Sequence, residues 1–333
     1  MLQPEALSIK KCSPFVASME LLTKCNYRCE HCYIPSHDAV MNSDIIYRTI
    51  EQIKDAGFFE LVLTGGEILL LEDLVKIVSF ARAKGLRVTL FSNISLMTDE
   101  LAEKLAALYI KEISTTLFSL DTKINDDITK CKESVDKFLK AAEIIKSHNI
   151  HLEVKVPIMK KNKNSYKEIM EYCDENGFRF NYSFAITQRT DGDKEPCTFR
   201  LSEEEIADVI RVVEEDYSVQ KRKNPRLCDG LCNSLHIDVN GNVYPCISFP
   251  IKYGNVREES LIDIWNNSKE KIHITSIKRN DLLMCKDCTY ADFCVRCPGL
   301  AYSENNTLYG CSEIDRLIAG ARKRVKGGKK DVH

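Results

Sequence analysis

Between residues 16 and 214 the chain alternates six times between a short apolar run and an amphipathic stretch, and this alternation limits the fold more than any other feature. Such a pattern is that of parallel strands joined by helical crossovers. The expected strands cover 16–22, 59–64, 87–92, 112–119, 151–158 and 179–186, and the helices that follow cover 44–56, 72–84, 98–108, 134–148, 165–176 and the stretch after Ser202. Asn42 or Ser43 is placed to cap the first helix, and Ser202 with Glu205 forms a capping box before the last. Six units are fewer than the eight that close a full barrel. The expected fold is therefore α/β, a partial (β/α)6 TIM-like barrel over residues 1–217, with its chemistry at the C-terminal ends of the strands.

Residues 218–227, polar, charged and interrupted by Pro225, read as a linker. Beyond it periodicity fades, except where Asn240-Gly241 between two apolar runs signals a hairpin. The remaining expected units are a small cysteine-rich domain over 228–311 and a C-terminal helix with a basic tail over 312–333.

Of the 333 residues, 29% are charged with a formal net charge of −2, which removes the basic face that nucleic-acid binding requires. The one basic cluster, Arg322, Lys323, Arg324, Lys326, Lys329 and Lys330, reads as a solvated tail. No apolar run approaches the length of a membrane span, and the N-terminus has no signal-peptide core, so the expected setting is the cytoplasm without nucleic-acid or membrane partners.

Fifteen cysteines are too sparse for a small disulfide scaffold, and in a reducing compartment their clustering points to metal ligands. Cys25, Cys29 and Cys32 form one group in the first βα loop. Cys228, Cys232 and Cys246 form a second, and Cys285, Cys288, Cys294, Cys297 and Cys311 a third. Three thiolates leave one iron of a cubane open to an outside ligand. The competing reading is zinc, with His31 or His37 as fourth ligand in the first group and a zinc ribbon in the others. The two histidines are otherwise expected to be solvated.

The spacing Cys25-x3-Cys29-x2-Cys32 followed by Tyr33 resembles the cluster loop of radical S-adenosylmethionine enzymes. LTGGE (63–67) resembles the glycine-glycine-glutamate turn of that family, with Ile68 in place of its usual proline. The resemblance implies that Gly65, Gly66 and Glu67 receive the amino group of the methionine moiety. It further implies that Ser92 and Asn93 face the ribose and that Ser119 and Lys155 offer a hydroxyl and a cation to ribose and carboxylate.

The second and third groups resemble the SPASM extension of the same superfamily. By that resemblance Cys228, Cys232, Cys246 and Cys297 hold one auxiliary [4Fe–4S] cluster, and Cys285, Cys288, Cys294 and Cys311 another. Two residues separate Cys294 from Cys297 where relatives usually have three.

The implied cofactors are three [4Fe–4S] clusters and S-adenosylmethionine, cleaved reductively to a 5′-deoxyadenosyl radical that abstracts hydrogen from a substrate carbon. An electron donor such as flavodoxin or ferredoxin is implied with them. The run from Ser119 to Glu205 looks most like enzymes that modify ribosomally made peptides, by thioether or carbon–carbon cross-links or by epimerisation. With about 15 residues before the first strand, the leader of such a peptide is expected to bind a separate partner protein or a groove on the barrel. A small-molecule dehydrogenase or haem-biosynthesis enzyme, and an electron carrier without catalysis, are the alternative classes. Cys131 and Cys197, after the fourth and sixth strands, are the candidate hydrogen donors or acids, and Cys12 and Cys173 the structural cysteines.

Overall fold

The computed structural model describes residues 4–214 and 226–326. Most of the expected linker and the end of the basic tail lie outside these residues. After an N-terminal helix α1 (Pro4–Lys11), six units follow in order. They are β1 (Val16–Leu22) and α2 (Ser43–Asp55), β2 (Glu60–Gly65) and α3 (Leu74–Ala83), β3 (Arg87–Phe91) and α4 (Asp99–Ala107), then β4 (Glu112–Thr116) with two helices, α5 (Thr122–Thr129) and α6 (Ser134–Ser147). The last two units are β5 (Leu152–Pro157) with α7 (Tyr166–Asn176) and β6 (Arg179–Ser183) with α8 (Glu203–Val213).

The six strands pair in parallel in chain order, β6-β5-β4-β3-β2-β1, and among the described residues β6 has no partner beyond it, so the barrel is partial as expected. Strand residues such as Leu61, Leu63, Val88, Leu90, Ile113 and Val154 are fully buried. The caps fall where the sequence puts them: Asn42 accepts from the Asp44 amide, and Ser202 and Glu205 form both bonds of the capping box.

Three features were not expected: α1, α5 and the way the C-terminal region joins the barrel. The Asn240-Gly241 hairpin links β7 (Ser234–Ile237) to β8 (Asn242–Tyr244), and β7 also pairs in parallel with β1, while β9 (Gly254–Asn255) completes a nine-stranded sheet. Short helices follow: α9 (Leu261–Asn267), α10 (Lys269–Ser276), α11 (Leu283–Lys286) and α12 (Pro298–Asn305), then the longer α13 (Glu313–Lys326). Trp265 of α9 meets Phe58 edge-on at 5.3 Å. The buried Arg200 reaches Glu304 at 2.7 Å and Glu313 at 3.3 Å, and Arg322 of α13 grips Glu214 through Nε and Nη2. Bidentate, largely desolvated pairs of this kind fix orientation where apolar contact alone would not.

Candidate active site and cysteine centres

The loop leaving β1 carries Cys25, Cys29 and Cys32, and it is tied down along its length. Arg28 and Glu30 donate their backbone amides to Thr129 and Ile128 at the end of α5, and the Glu30 carboxylate pairs with Lys130 and Lys161. On the other side the Gly65-Gly66 turn lies against the strand exit: a β-carbon on Gly65 would stand 2.1 Å from the Leu22 carbonyl oxygen, and one on Gly66 2.1 Å from that of Lys24. Only glycine permits backbone to meet backbone this closely, and Gly65 also has φ +143.

The three cysteines surround a cavity of about 230 Å³ at the C-terminal ends of the strands, with Tyr33, Gly65, Gly66, Ser92, Asn93 and Lys155 also in its wall. Burial pushes the Cys25 thiol up to about 11 and raises Cys29 and Cys32 as well. Thiols in such surroundings ionise only with a compensating positive charge, which iron supplies. Lys155 lies 3.3 Å over the Phe91 ring and 3.7 Å from Glu153, and its pKa is lowered by burial. Among the described residues it is the one Lys or Arg in the wall.

Two of the expected cofactor-binding residues, Glu67 and Ser119, lie outside the cavity wall. Glu67 is fully buried and absent from the cavity wall. Its carboxylate accepts from the Leu69 amide, from Ser92 Oγ at 2.7 Å and from the Asn93 amide at 2.6 Å. The carboxylate thus positions the Ser92-Asn93 corner, and its charge reaches Cys25 and Tyr27 in the cavity wall. Ser119 is also buried outside the wall, where its hydroxyl accepts from the Asp121 amide and from Ser165 Oγ.

Cys131 and Cys197 do not line the cavity either. Cys131 follows the unexpected α5, with Lys137 Nζ at 3.6 Å and near enough to Cys29 and Tyr27 for its charge to raise both, and Cys197 lies in a short 3-10 turn. Cys173 is buried in α7, as expected. His31 is not solvated: its ring meets Phe118 edge-on at 4.9 Å, and burial takes it down to about 4. His37 Nε2 is 4.0 Å from Cys32 Sγ.

A second cavity, of about 570 Å³, adjoins the first through Tyr33, Ile34 and Ile247 and extends to Cys246. Glu20, Asp38, Asp238 and His236 are in its wall, with no Lys or Arg among the described residues. Tyr33 Oη donates to Glu20 at 2.8 Å, and His236 Nε2 is 3.7 Å from the same carboxylate.

The C-terminal cysteines interleave. Cys285, Cys288, Cys294 and Cys311 share the wall of a third cavity, of about 960 Å³, that excludes Cys297. Cys297 instead faces Cys246 and Cys228: burial pushes Cys246 up to about 12, and the other two thiols add to the shift. Cys232, expected as the fourth ligand of that group, has its sulfur bonded to that of Cys12 in the structure.

The donor sets fit iron–sulfur clusters on an independent observation. Three of the buried side-chain atoms that lack a hydrogen-bond partner stand beside the three groups: His31 Nδ1, the Tyr253 hydroxyl and Arg296 Nη1. His31 lines the first cavity and Arg296 the third, and Tyr253 feels the charges of Cys246 and Cys228. A buried guanidinium N–H and a phenol among thiols call for an anionic, sulfur-rich occupant. Among the described residues no three Cys, His, Asp or Glu side chains form a group that could hold a single metal ion.

Residues 19–175 match the family model of the Radical SAM superfamily, and residues 228–289 match that of SPASM, an iron–sulfur cluster-binding domain. The AdoMet-dependent heme synthase of Methanosarcina barkeri is 23% identical, the alignment covering 87% of this chain and 93% of that protein. The antilisterial bacteriocin subtilosin biosynthesis protein AlbA of Bacillus subtilis is 25% identical, covering 85% of this chain and 67% of that one. Among solved structures, Streptococcus suis SuiB bound to precursor peptide SuiA superposes with a TM-score of 0.71 at 18% identity, covering 94% of this chain and 79% of that one.

Proposed function

The chain is a radical SAM protein with a SPASM domain, and from that premise we propose that it modifies a ribosomally made peptide, by cross-linking or by epimerisation, in the cytoplasm. Cys25, Cys29 and Cys32 would hold the cluster that engages S-adenosylmethionine. When bound, the pair supplies one-electron cleavage to a 5′-deoxyadenosyl radical, the agent of hydrogen abstraction. The chain's own residues have the tasks of orientation and exclusion of water. Lys155, poorly solvated over Phe91, attracts the methionine carboxylate. Ser92 and Asn93, fixed by Glu67, form the corner against the ribose, and the Gly65-Gly66 backbone admits the ammonium. Cys228, Cys246 and Cys297 would hold one auxiliary cluster and Cys285, Cys288, Cys294 and Cys311 the other.

One observation carries the choice of a peptide: the cavity that adjoins the cofactor site presents Glu20, Asp38 and Asp238 and, among the described residues, neither Lys nor Arg. A porphyrin with propionate arms, the substrate type suggested by the heme-synthase relative, would bring like charges to that wall. A peptide backbone or a basic side chain meets no such repulsion, and the AlbA relative is named for bacteriocin biosynthesis.

The test is anaerobic reaction of the reconstituted protein with S-adenosylmethionine, dithionite and candidate peptides encoded beside it, followed by mass spectrometry. Loss of two hydrogens, or uptake of solvent deuterium at an α-carbon, is the expected result. Turnover of a porphyrin with no change in any peptide would overturn it.

A further inference from the structure

Arg296 is held in a way that a charged side chain rarely tolerates. It is only 4% exposed, and Asp315, the carboxylate whose charge it feels, accepts from the Cys297 amide at 2.8 Å instead. A buried cation in a folded protein normally has its N–H groups satisfied. Here one of them is not.

One edge of the guanidinium is engaged by backbone. Nε donates to the Gly310 carbonyl at 3.1 Å, and Nη2 donates to the carbonyls of Gly310 and Leu308. Those carbonyls belong to the turn that leads into Cys311, and Arg296 itself follows Cys294 by two residues. The planar fork is therefore fixed by two of the segments that carry cysteines of the third group. Nη1, on the opposite edge, is buried and has no partner. Arg296 shares its cavity wall with Cys285, Cys288, Cys294 and Cys311, and the charges of Cys285, Cys294 and Cys311 act on it. Arg279, Lys286 and Arg316 line the same cavity, but they are exposed or half-buried, where solvent and salt screen their charge.

We propose that Arg296 tunes the centre held by Cys285, Cys288, Cys294 and Cys311: its Nη1–H donates to a sulfur of that cluster and raises the potential at which the cluster takes up an electron. The proposal rests on the iron–sulfur reading above. Reduction adds one negative charge to the cluster, and a fixed, poorly solvated cationic N–H favours the more negative state. The guanidinium thereby gains the partner it lacks, and the cluster becomes the readier electron acceptor.

The test is a redox titration of the reconstituted full chain, followed by electron paramagnetic resonance, with the signal of this centre identified by its loss in Cys288→Ala. Arg296→Met keeps a buried stem and removes the fork. Its cluster is expected to be harder to reduce by about tenfold in the reduction equilibrium, a shift of about 59 mV for one electron, with iron content and the signals of the other centres unchanged. Lys286→Met, which removes an exposed charge from the same wall, should shift the potential far less. An unshifted potential in Arg296→Met at full iron overturns the proposal. So does an equal shift in Lys286→Met, which would make the effect one of net charge. Should Arg296→Met shed this cluster because the Leu308 and Gly310 carbonyls are left bare, wild-type protein grown on arginine enriched in the heavy nitrogen isotope decides the matter. Hyperfine coupling of an arginine nitrogen to the reduced centre supports donation, and its absence refutes it. A wild-type chain without iron at this group would sink the cluster reading and the proposal together.

Discussion

Gly66 lies so close to Lys24 that a β-carbon on it would stand 2.1 Å from the Lys24 carbonyl oxygen, and 2.4 Å from that of Thr23. The obstacle is backbone, which cannot swing aside as a side chain can. Gly66→Ala therefore has to push the turn away from the segment that leads into Cys25. We expect a stability loss of about 1–3 kcal/mol, typical of overpacking, together with loss of S-adenosylmethionine cleavage while the C-terminal iron is retained. Thermal unfolding and iron analysis check both parts.

Among the described residues Lys155 is the one Lys or Arg in the wall of the first cavity. Lys155→Met keeps the stem over Phe91 and removes the charge. If the lysine meets the methionine carboxylate, S-adenosylmethionine should bind more weakly by about 1.5–3 kcal/mol, roughly 10- to 100-fold, as read by titration of the reconstituted protein. Equal affinity would assign Lys155 to its partner Glu153 alone.

Glu20 and His236, on adjacent parallel strands, join the barrel to the C-terminal region. Burial pushes the Glu20 carboxyl up, but the hydrogen bond and charge of His236 and the Tyr33 hydroxyl outweigh it and leave the pKa below its ordinary 4.5. A depressed carboxylate contributes stability that is present above the unfolded value and is lost as pH falls through the folded one. The stability advantage of wild type over Glu20→Gln should thus be full at neutral pH and shrink below 4.5, by urea unfolding across that range. An advantage independent of pH would mean that packing, not ionisation, is what Glu20 supplies.

The strand and helix alternation was legible because each unit announces itself through local periodicity and caps: Asn42, Ser202 and Glu205 act where the sequence puts them. What escaped was non-local. The parallel pairing of β7 with β1 joins residues more than 200 apart, which no local pattern encodes. The helix α5, capped by Asp121, has a short apolar face that is easily read as loop, yet it holds the cluster loop through the Arg28 and Glu30 amides. Glu67 shows the same limit at the site. Its motif is visible in sequence, but the direction of its carboxylate depends on Ser92 and Asn93, which arrive from the next strand.

Cys131 and Cys197 follow from that geometry. Neither lines the cofactor cavity, so Cys131→Ser and Cys197→Ser should each leave S-adenosylmethionine cleavage and peptide product at the wild-type level, by chromatography and mass spectrometry. Loss of product with cleavage intact in either variant would restore that thiol as a hydrogen donor brought to the mouth by substrate binding.

The first auxiliary centre gives the sharpest test, because sequence and structure assign Cys232 differently. By family spacing it is a fourth ligand; in the structure its sulfur is bonded to Cys12, while Cys246, Cys297 and Cys228 face one another near the orphaned Tyr253 hydroxyl. Three thiolates suffice to hold a cubane, as at the Cys25 loop, so Cys232→Ser should retain iron, whereas Cys246→Ser should lose about four irons per chain. Digestion without reductant should yield a cross-linked peptide pair containing Cys12 and Cys232. If instead Cys232→Ser and Cys246→Ser lose iron equally and Cys12 alkylates as a free thiol, Cys232 is a ligand and the spacing argument prevails over the disulfide.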